Sequence, residues 1–178
     1  MTEPATPNAA HPMALSQAFG ERCRQNGWTC ATAESCTGGG IAHLLTLTAG
    51  ASDYLQGGII AYSNEVKQEL LGVTTYTLDT RGAVSAECAA EMAQGVLARL
   101  GVDLALSSTG IAGPGGATAR KPVGLVYIGV ATAGQVATRE LRLSGDRQAI
   151  MDAATLAAVG LALELTQPDP SDAVHATA

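Results

Sequence analysis

The stretch WTCATAESCTGGGIAHLLTLT, residues 28–48, carries the strongest fold signal in the chain because its pattern changes from strand to helix across a run of glycines. Residues Trp28–Ala33 are typical of a strand, and the glycines at 38–40 open a helix that runs to about Thr48. A strand followed directly by a helix is the building unit of α/β proteins. The stretch therefore predicts an α/β fold with a strand-to-helix loop at its centre.

The same alternation continues on both sides of this stretch. Two extended runs near the end of the chain are joined by Ala133-Gly134, which predicts an antiparallel hairpin. Helices on both faces of a mixed sheet bury such a set of elements most economically. We expect a three-layer α/β/α sandwich with a mixed, mostly parallel sheet of about five strands. Further helices are predicted over Pro12–Asn26, Asn64–Leu71, Ala86–Leu100 and Asp146–Leu165, and strands over Leu55–Tyr62, Asp103–Ser108, Val123–Thr132 and Gln135–Leu143.

Length and composition indicate one globular domain. The chain has 178 residues, of which 47% are hydrophobic and 15% charged, so it can bury one core. We expect a domain over 13–166 between disordered tails at 1–12 and 167–178, both rich in small and polar residues.

Charge and cysteine spacing exclude several classes of partner. The net charge is −6 and Lys plus Arg number only 10, so we expect no nucleic acid partner. We expect no membrane span, because the apolar run around Val123–Ala133 is well short of the roughly 20 residues that a span needs, and we expect no secretory signal. The four cysteines show no C-x-x-C spacing, so no metal site or metal cofactor is expected. We expect a cytoplasmic protein with reduced thiols.

Ser35 is the first candidate for chemistry. It lies between the strand and the glycines, where backbone N–H groups of Thr37, Gly38 and Gly39 could form an oxyanion hole. The alternative interpretation is an ordinary glycine-rich turn with a capping side chain. Cys36 is a competing nucleophile, because a thiol beside a helix start can ionise, although free cysteines are often buried apolar residues.

A base for Ser35 must be found among few residues. Of three histidines, His11 and His175 fall in the expected tails, and His43 is expected to decorate a helix. Lys67 is unusual because a cation in the first turn opposes the helix dipole, which would also lower its pKa. With Tyr62 it could relay a proton from Ser35 without histidine. The alternative is a solvated surface lysine beside a strand-end tyrosine.

Two further junctions could bind substrate. The glycine-rich segment 108–116 could form a backbone wall for a ribose or phosphate through Thr109, Gly110 and Gly113, with Lys121 nearby; the alternative is a mobile connector. Arg147 opens the last helix, where it could bind a phosphate or carboxylate, or could be an exposed arginine after a capping residue.

Six separated segments resemble, in order and spacing, the CinA C-terminal domain family. They are AESCTGG, GGIIAYSNEVKQELLGV, GAVSAECAAEMA, SSTGIAGPGG, KPVGLVYIGVA and SGDR. The resemblance implies an α/β/α sandwich, a tendency to form dimers, and no activity of the larger N-terminal domain that full-length members carry. The family includes a stand-alone nicotinamide mononucleotide deamidase, which acts in pyridine nucleotide recycling.

The resemblance also implies the site. The family's catalytic Ser-Tyr-Lys set maps onto Ser35, Tyr62 and Lys67, and the glycine-rich loop and SGDR map onto the substrate pocket. We expect an amidohydrolase that forms a Ser35 acyl-enzyme, with Arg147 and Lys121 at the 5′-phosphate. The alternatives are a nucleotide-binding regulatory module without turnover, and an amidase or esterase for another substrate.

Overall fold

The computed structural model describes residues 11–167, in which helices and strands alternate along the chain. The helices are α1 Pro12–Asn26, α2 Gly40–Thr46, α3 Asn64–Leu71, α4 Thr75–Thr80, α5 Ala86–Leu100 and α6 Arg147–Leu165, with a short 3₁₀ helix at Ala51–Asp53. The strands are β1 Cys30–Glu34, β2 Leu55–Ile60, β3 Leu104–Gly110, β4 Leu125–Thr132 and β5 Val136–Arg142.

The five strands form one mixed sheet in the order β2-β1-β3-β4-β5. Strand β1 pairs in parallel with β2 and β3, whereas β4 is antiparallel to both β3 and β5. Four strands therefore run in one direction and β4 runs against them. This confirms the predicted α/β class with a mostly parallel sheet, and β4 and β5 form the predicted hairpin.

Alternation along the strands divides the core into two layers. Leu106 and Ile128 are fully buried against α1, α2 and α6, whereas Ala31 and Ala105 face α5 on the other side. Burial of an isoleucine or leucine side chain stabilises a fold by about 1.5–3 kcal/mol. Close approach of α5 requires a residue without a side chain at Gly129, because a Cβ there would lie 2.8 Å from the Ala89 carbonyl oxygen.

Parallel pairing places three loops at one edge of the sheet. Glu34 ends β1 in register with Ile60 of β2 and Ser108 of β3. The chain continues this pairing beyond the strands, since the Ser35 N–H donates to the Ser108 carbonyl over 3.0 Å and the Ala61 N–H donates to the Glu34 carbonyl over 2.8 Å. Ligand sites of open α/β sheets form at such carboxyl ends.

Apart from shifts of one or two residues at the ends of elements and the additional 3₁₀ helix, three details differ from the sequence expectations. Helix α4 was not predicted. Pro12 begins α1, so the N-terminal tail cannot extend to residue 12; the remainder of the two predicted tails, 1–10 and 168–178, lies outside the described residues.

Helix α6 is long and apolar enough to cross a membrane by length and composition. It packs on the sheet through residues such as Ala154 and Ala158, which are fully buried, so the core accounts for its apolar character.

Candidate active site

Lys67 and Ser35 are in direct contact. The Nζ atom of Lys67 lies 3.1 Å from the Oγ atom of Ser35. Lys67 lies in the first turns of helix α3. The Ser63 side chain caps this helix by accepting the Val66 N–H, one residue before Lys67, and so fixes the position of the lysine. Ser35 is supplied by the loop after β1. The structure thus brings the predicted nucleophile and base together without a bridging side chain.

Lys67 is buried to an unusual degree for a lysine. Its side chain is 2% exposed, and its other two contacts are the carbonyl oxygens of Ala61 at 2.8 Å and Tyr62 at 3.1 Å. Within residues 11–167 it forms no salt bridge. Burial lowers the pKa of Lys67 from its ordinary 10.5, because removal from water penalises the ammonium form. The main cause is therefore burial, where the sequence suggested the helix dipole.

The three contacts define how a neutral Lys67 amine would be oriented. A carbonyl oxygen can only accept a hydrogen bond, so the two N–H bonds of the amine would go to Ala61 and Tyr62. The lone pair is then left for the third direction, toward Ser35 Oγ. In this state Ser35 donates its proton to Lys67, which is the geometry that general-base activation requires.

The glycines of the loop have a conformational role. Gly38 and Gly39 have φ values of 60° and 104°, which L side chains rarely adopt. Their N–H groups are engaged within the loop, Gly38 with the Ser35 carbonyl at 3.1 Å and Gly39 with Glu34 Oε2 at 2.9 Å. The prediction that both N–H groups form the oxyanion hole is therefore not supported. In the part of the chain that the structure describes, the N–H groups of Cys36 and Thr37 donate no hydrogen bond to another residue, so they are the remaining candidates.

Glu34 is a residue of the site that sequence reasoning missed. It is 1% exposed, and its carboxylate accepts hydrogen bonds from the Thr37 hydroxyl and from the N–H groups of Gly39, Ile41 and Ala42. A glutamate directly before the candidate serine, at the end of a buried strand, was the available signal. Helix α2 has no side-chain hydrogen bond from its N-cap residue, Gly39. The Glu34 carboxylate caps the start of this helix instead.

The Tyr62 hydroxyl and the Arg147 guanidinium are in contact with each other. The Tyr62 side chain is 61% exposed, and its hydroxyl lies 3.1 Å from an Arg147 guanidinium nitrogen. Arg147 also donates to the Gly113 carbonyl over 2.8 Å. The structure therefore brings the Tyr62 carbonyl, and not its hydroxyl, to Lys67. A relay through the tyrosine hydroxyl stays a prediction that this arrangement does not require.

A cleft of about 170 Å³ lies beside these residues. The predicted Gly110 and Gly113 line it, whereas the Thr109 hydroxyl is turned away to the Ala83 carbonyl at 2.7 Å. Lys121 does not line it, because its Nζ donates to the carbonyls of Arg81 and Val84 over 2.6 and 2.7 Å. The expected phosphate contact of Lys121 is therefore not supported. The cleft is lined by Cys36, Tyr62, Gly110, Ile111, Ala112, Gly113, Gly115, Gly116 and Arg147.

The competing catalytic residues are poorly suited to their roles, although Cys36 lines the cleft. Cys36 is buried, and burial raises the pKa of its thiol to about 11, so it is a protonated thiol near neutral pH. His43 is exposed and lines a different cavity, of about 410 Å³, between α1, α2 and α6. Across residues 11–167, no group of three or more His, Cys, Asp or Glu side chains could hold a metal ion.

A serine in contact with a buried lysine at the carboxyl ends of parallel strands defines a class: an α/β/α sandwich with a Ser-Lys pair. Within that class, the sequence identifies one family. The family model described as the CinA C-terminal domain matches residues 13–166. The chain belongs to the CinA C-terminal domain family, as its six motifs indicated.

Relatives and solved structures agree with this assignment. A CinA-like protein of Thermosynechococcus vestitus is 61% identical over 120 residues, which cover 67% of this chain and 29% of that protein. A CinA-like protein of Rippkaea orientalis is 52% identical over 134 residues, covering 75% and 32%. The chain thus spans about a third of the length of these relatives. The crystal structure of the competence/damage inducible protein CihA from Agrobacterium tumefaciens matches 94% of this chain and 100% of its own, with 38% identity and a TM-score of 0.85.

Proposed function

We propose that this protein is an amidohydrolase that converts nicotinamide mononucleotide to nicotinate mononucleotide and ammonia. The observation that carries the proposal is the 3.1 Å contact between Ser35 Oγ and the buried Lys67 Nζ. Acyl transfer needs a nucleophile, a base that is neutral at working pH, and donors for the oxyanion. The CinA C-terminal domain family includes the stand-alone deamidase PncC, and the resemblance to this family supports the choice of substrate.

The reaction proceeds in two halves. Ser35 Oγ attacks the carboxamide carbon while Lys67 takes the hydroxyl proton, giving a tetrahedral intermediate. Lys67 returns that proton to the amide nitrogen, the C–N bond breaks, and ammonia leaves. Water then attacks the ester carbonyl, again losing a proton to Lys67, and the Ser35 oxygen leaves with that proton as nicotinate mononucleotide is released.

The oxyanion is bound by backbone N–H groups beside the nucleophile. Those of Cys36 and Thr37 are suited to this role, because the N–H groups of Gly38 and Gly39 are already bonded within the loop. A donor that bonds only the developing oxyanion lowers the barrier without tightening ground-state binding. A single such donor contributes about 10²–10³ in kcat.

Arg147 binds the 5′-phosphate. Two guanidinium nitrogens contact Gly113 and Tyr62, which hold the side chain at the cleft, and its remaining N–H groups are available to an anion. A cation at this position selects an anionic substrate in a chain whose net charge is −6. Gly110 and Gly113 line the cleft with backbone atoms. Their lack of a side chain serves packing, since a Cβ at Gly110 would lie 2.8 Å from the Leu125 carbonyl oxygen and one at Gly113 would lie 2.7 Å from a Val123 methyl carbon.

The cellular setting follows the same proposal. The enzyme works in the cytoplasm on a small-molecule substrate, in pyridine nucleotide recycling, as a homodimer. It requires no cofactor, no nucleic acid partner and no membrane.

The test is product analysis with a graded set of substrates. The wild-type protein is incubated with nicotinamide, nicotinamide riboside or nicotinamide mononucleotide, and ammonia and the acid product are measured. We expect turnover of the mononucleotide, with kcat/KM falling when the phosphate is absent. No ammonia from any of the three would contradict the proposed function. Equal turnover of all three would contradict the assigned phosphate contact.

A further inference from the structure

Glu34 has the burial of a core residue and the hydrogen-bonding of an active-site residue. Its Oε2 atom accepts from the Thr37 hydroxyl at 2.6 Å, the Gly39 N–H at 2.9 Å and the Ile41 N–H at 3.0 Å. Its Oε1 atom accepts from the Ala42 N–H at 2.8 Å. Four donors converge on one buried carboxylate, and the segment they belong to begins two residues after Ser35.

We propose that Glu34 is a positioning residue for the Ser35 reaction: its carboxylate fixes the turn that carries Ser35 and the N–H groups of Cys36 and Thr37. The inference rests on the proposed function, since it assigns those N–H groups to the oxyanion. Glu34 makes no contact with substrate and acts through the backbone of the turn.

The donors and acceptors of these hydrogen bonds show how the Glu34 carboxylate holds the turn. Thr37 has one hydroxyl hydrogen, and it goes to Glu34 Oε2. The 2.6 Å contact between Thr37 Oγ1 and Ser108 Oγ must then be donated by Ser108. The side chain of Thr37 is therefore held between β1 and β3, with no freedom to rotate its hydroxyl.

The other end of the turn is held by the sheet. The Ser35 N–H donates to the Ser108 carbonyl over 3.0 Å. Residues 35–37 are thus fixed at Ser35 by β3 and at Thr37 by Glu34 and Ser108. The intervening N–H groups of Cys36 and Thr37 keep one direction, which is the preorganisation that an oxyanion hole needs.

A purely structural role makes a different prediction. If Glu34 only capped α2, its removal would reduce stability and leave the chemistry of folded molecules unchanged. A positioning role predicts a loss of kcat with KM nearly unchanged, because the oxyanion forms only in the transition state. Glutamine is the sharpest replacement. It keeps the shape, but an amide offers one acceptor oxygen for four converging donors, so one oxygen position becomes an N–H₂ group.

The chain offers a matched control in Glu91. Its carboxylate accepts the Thr74 N–H at 2.8 Å and the Thr77 hydroxyl at 2.5 Å, so it holds the start of α4 with the same types of donor. It has no contact with Ser35 or Lys67. Glu91→Gln therefore reports what the loss of a carboxylate cap does to this fold, without disturbing the Ser35 turn.

The experiment measures Glu34→Gln, Glu91→Gln, Thr37→Val and wild type by thermal unfolding, by ammonia release from nicotinamide mononucleotide, and by the rate of Ser35 labelling with a fluorophosphonate. We expect Glu34→Gln to lower kcat by about 10- to 100-fold and to change KM by less than about 3-fold, with a parallel loss of labelling rate. Glu91→Gln should lower Tm and keep kcat within about 2-fold. Thr37→Val, which removes the hydroxyl but keeps its N–H, should lower kcat by about 3- to 10-fold.

The outcomes separate the two proposals. A folded Glu34→Gln protein with wild-type kcat and labelling rate overturns the positioning role. If Glu34→Gln does not fold, Thr37→Val decides, and wild-type rates for it overturn the role equally. If wild type releases no ammonia, the proposed function fails, while the labelling rates of Ser35 still decide whether Glu34 positions it.

Discussion

The Nζ atom of Lys67 contacts Ser35 Oγ at 3.1 Å while two backbone carbonyls, those of Ala61 and Tyr62, occupy its other directions. This arrangement gives the lysine two properties that a surface lysine lacks. Burial lowers its pKa, and the carbonyls orient its lone pair toward the serine when it is neutral. Both properties can be measured through pH, stability and substitution.

The first prediction concerns the pH dependence of turnover. Catalysis needs neutral Lys67, so kcat/KM should rise with pH and level off at an apparent pKa below 10.5, the ordinary value for lysine. Lys67→Met should lose at least ~10²-fold in kcat, since it removes the general base. Lys67→Arg should be equally inactive because a guanidinium keeps its proton. Rates across pH 6–10 check this, and an active Lys67→Arg protein would remove the lysine from the mechanism.

The second prediction concerns stability. The pKa of Lys67 is lower in the folded than in the unfolded chain, so between those two values the unfolded chain binds more protons and wild-type stability rises with pH. Below the folded pKa the penalty of the buried ammonium is present in full. Lys67→Met has no such group. The difference in Tm, Lys67→Met minus wild type, should therefore be most positive at pH 6 and should decrease toward pH 10. A Tm difference that stays constant with pH would contradict the assigned burial of the charge.

The third prediction separates the two candidate nucleophiles. Cys36 is a buried thiol whose pKa is raised to about 11, so it contributes little thiolate near neutral pH. Cys36→Ala should keep kcat within about 5-fold of wild type, because it keeps the backbone N–H of residue 36. Steady-state assays of Cys36→Ala and wild type, with Ser35→Cys in parallel, measure these kcat values. A loss of ~10³-fold or more in Cys36→Ala would make the cysteine the nucleophile.

The fourth prediction assigns the phosphate. Arg147→Met should raise KM for nicotinamide mononucleotide by about 10-fold or more and leave nicotinamide riboside almost unaffected, because a charged hydrogen bond to phosphate is lost. Lys121→Met is the control, since its ammonium is bonded to the Arg81 and Val84 carbonyls. It should not change the preference between the two substrates. A preference that depends on Lys121 and not on Arg147 would reverse the assignment.

Elements that rely on local patterns could be predicted from the sequence. Strand and helix periodicity predicted the α/β class, and the place of Lys67 in the first turn of a helix, against the helix dipole, marked it as an unusual lysine. Helix α4 was missed although it has a local cap, in which the Thr74 side chain accepts the Thr77 N–H. The Glu91 carboxylate also holds Thr74 and Thr77, from a residue 14–17 positions away. No local pattern in the six-residue segment indicates that contact.

The errors at the site have a common physical origin. Gly38, Gly39 and Lys121 were assigned by residue type and proximity in sequence, but each directs its hydrogen-bonding groups to nearby backbone or to Glu34. Which donors remain free depends on the three-dimensional positions of acceptors, and residue type does not encode them. Glu34 was overlooked for the same reason, since its four donors converge only after the loop has folded.

The role of Ser35 as the nucleophile of an amide hydrolysis underlies the predictions on catalytic rates above. Its decisive measurement is ammonia release from nicotinamide mononucleotide, in parallel for wild type and Ser35→Ala at equal concentration, with thermal unfolding as the check of folding. We predict equimolar ammonia and nicotinate mononucleotide from wild type, and a rate at least ~10³-fold lower from a folded Ser35→Ala protein. Ammonia release by Ser35→Ala at a rate near that of wild type would contradict this role.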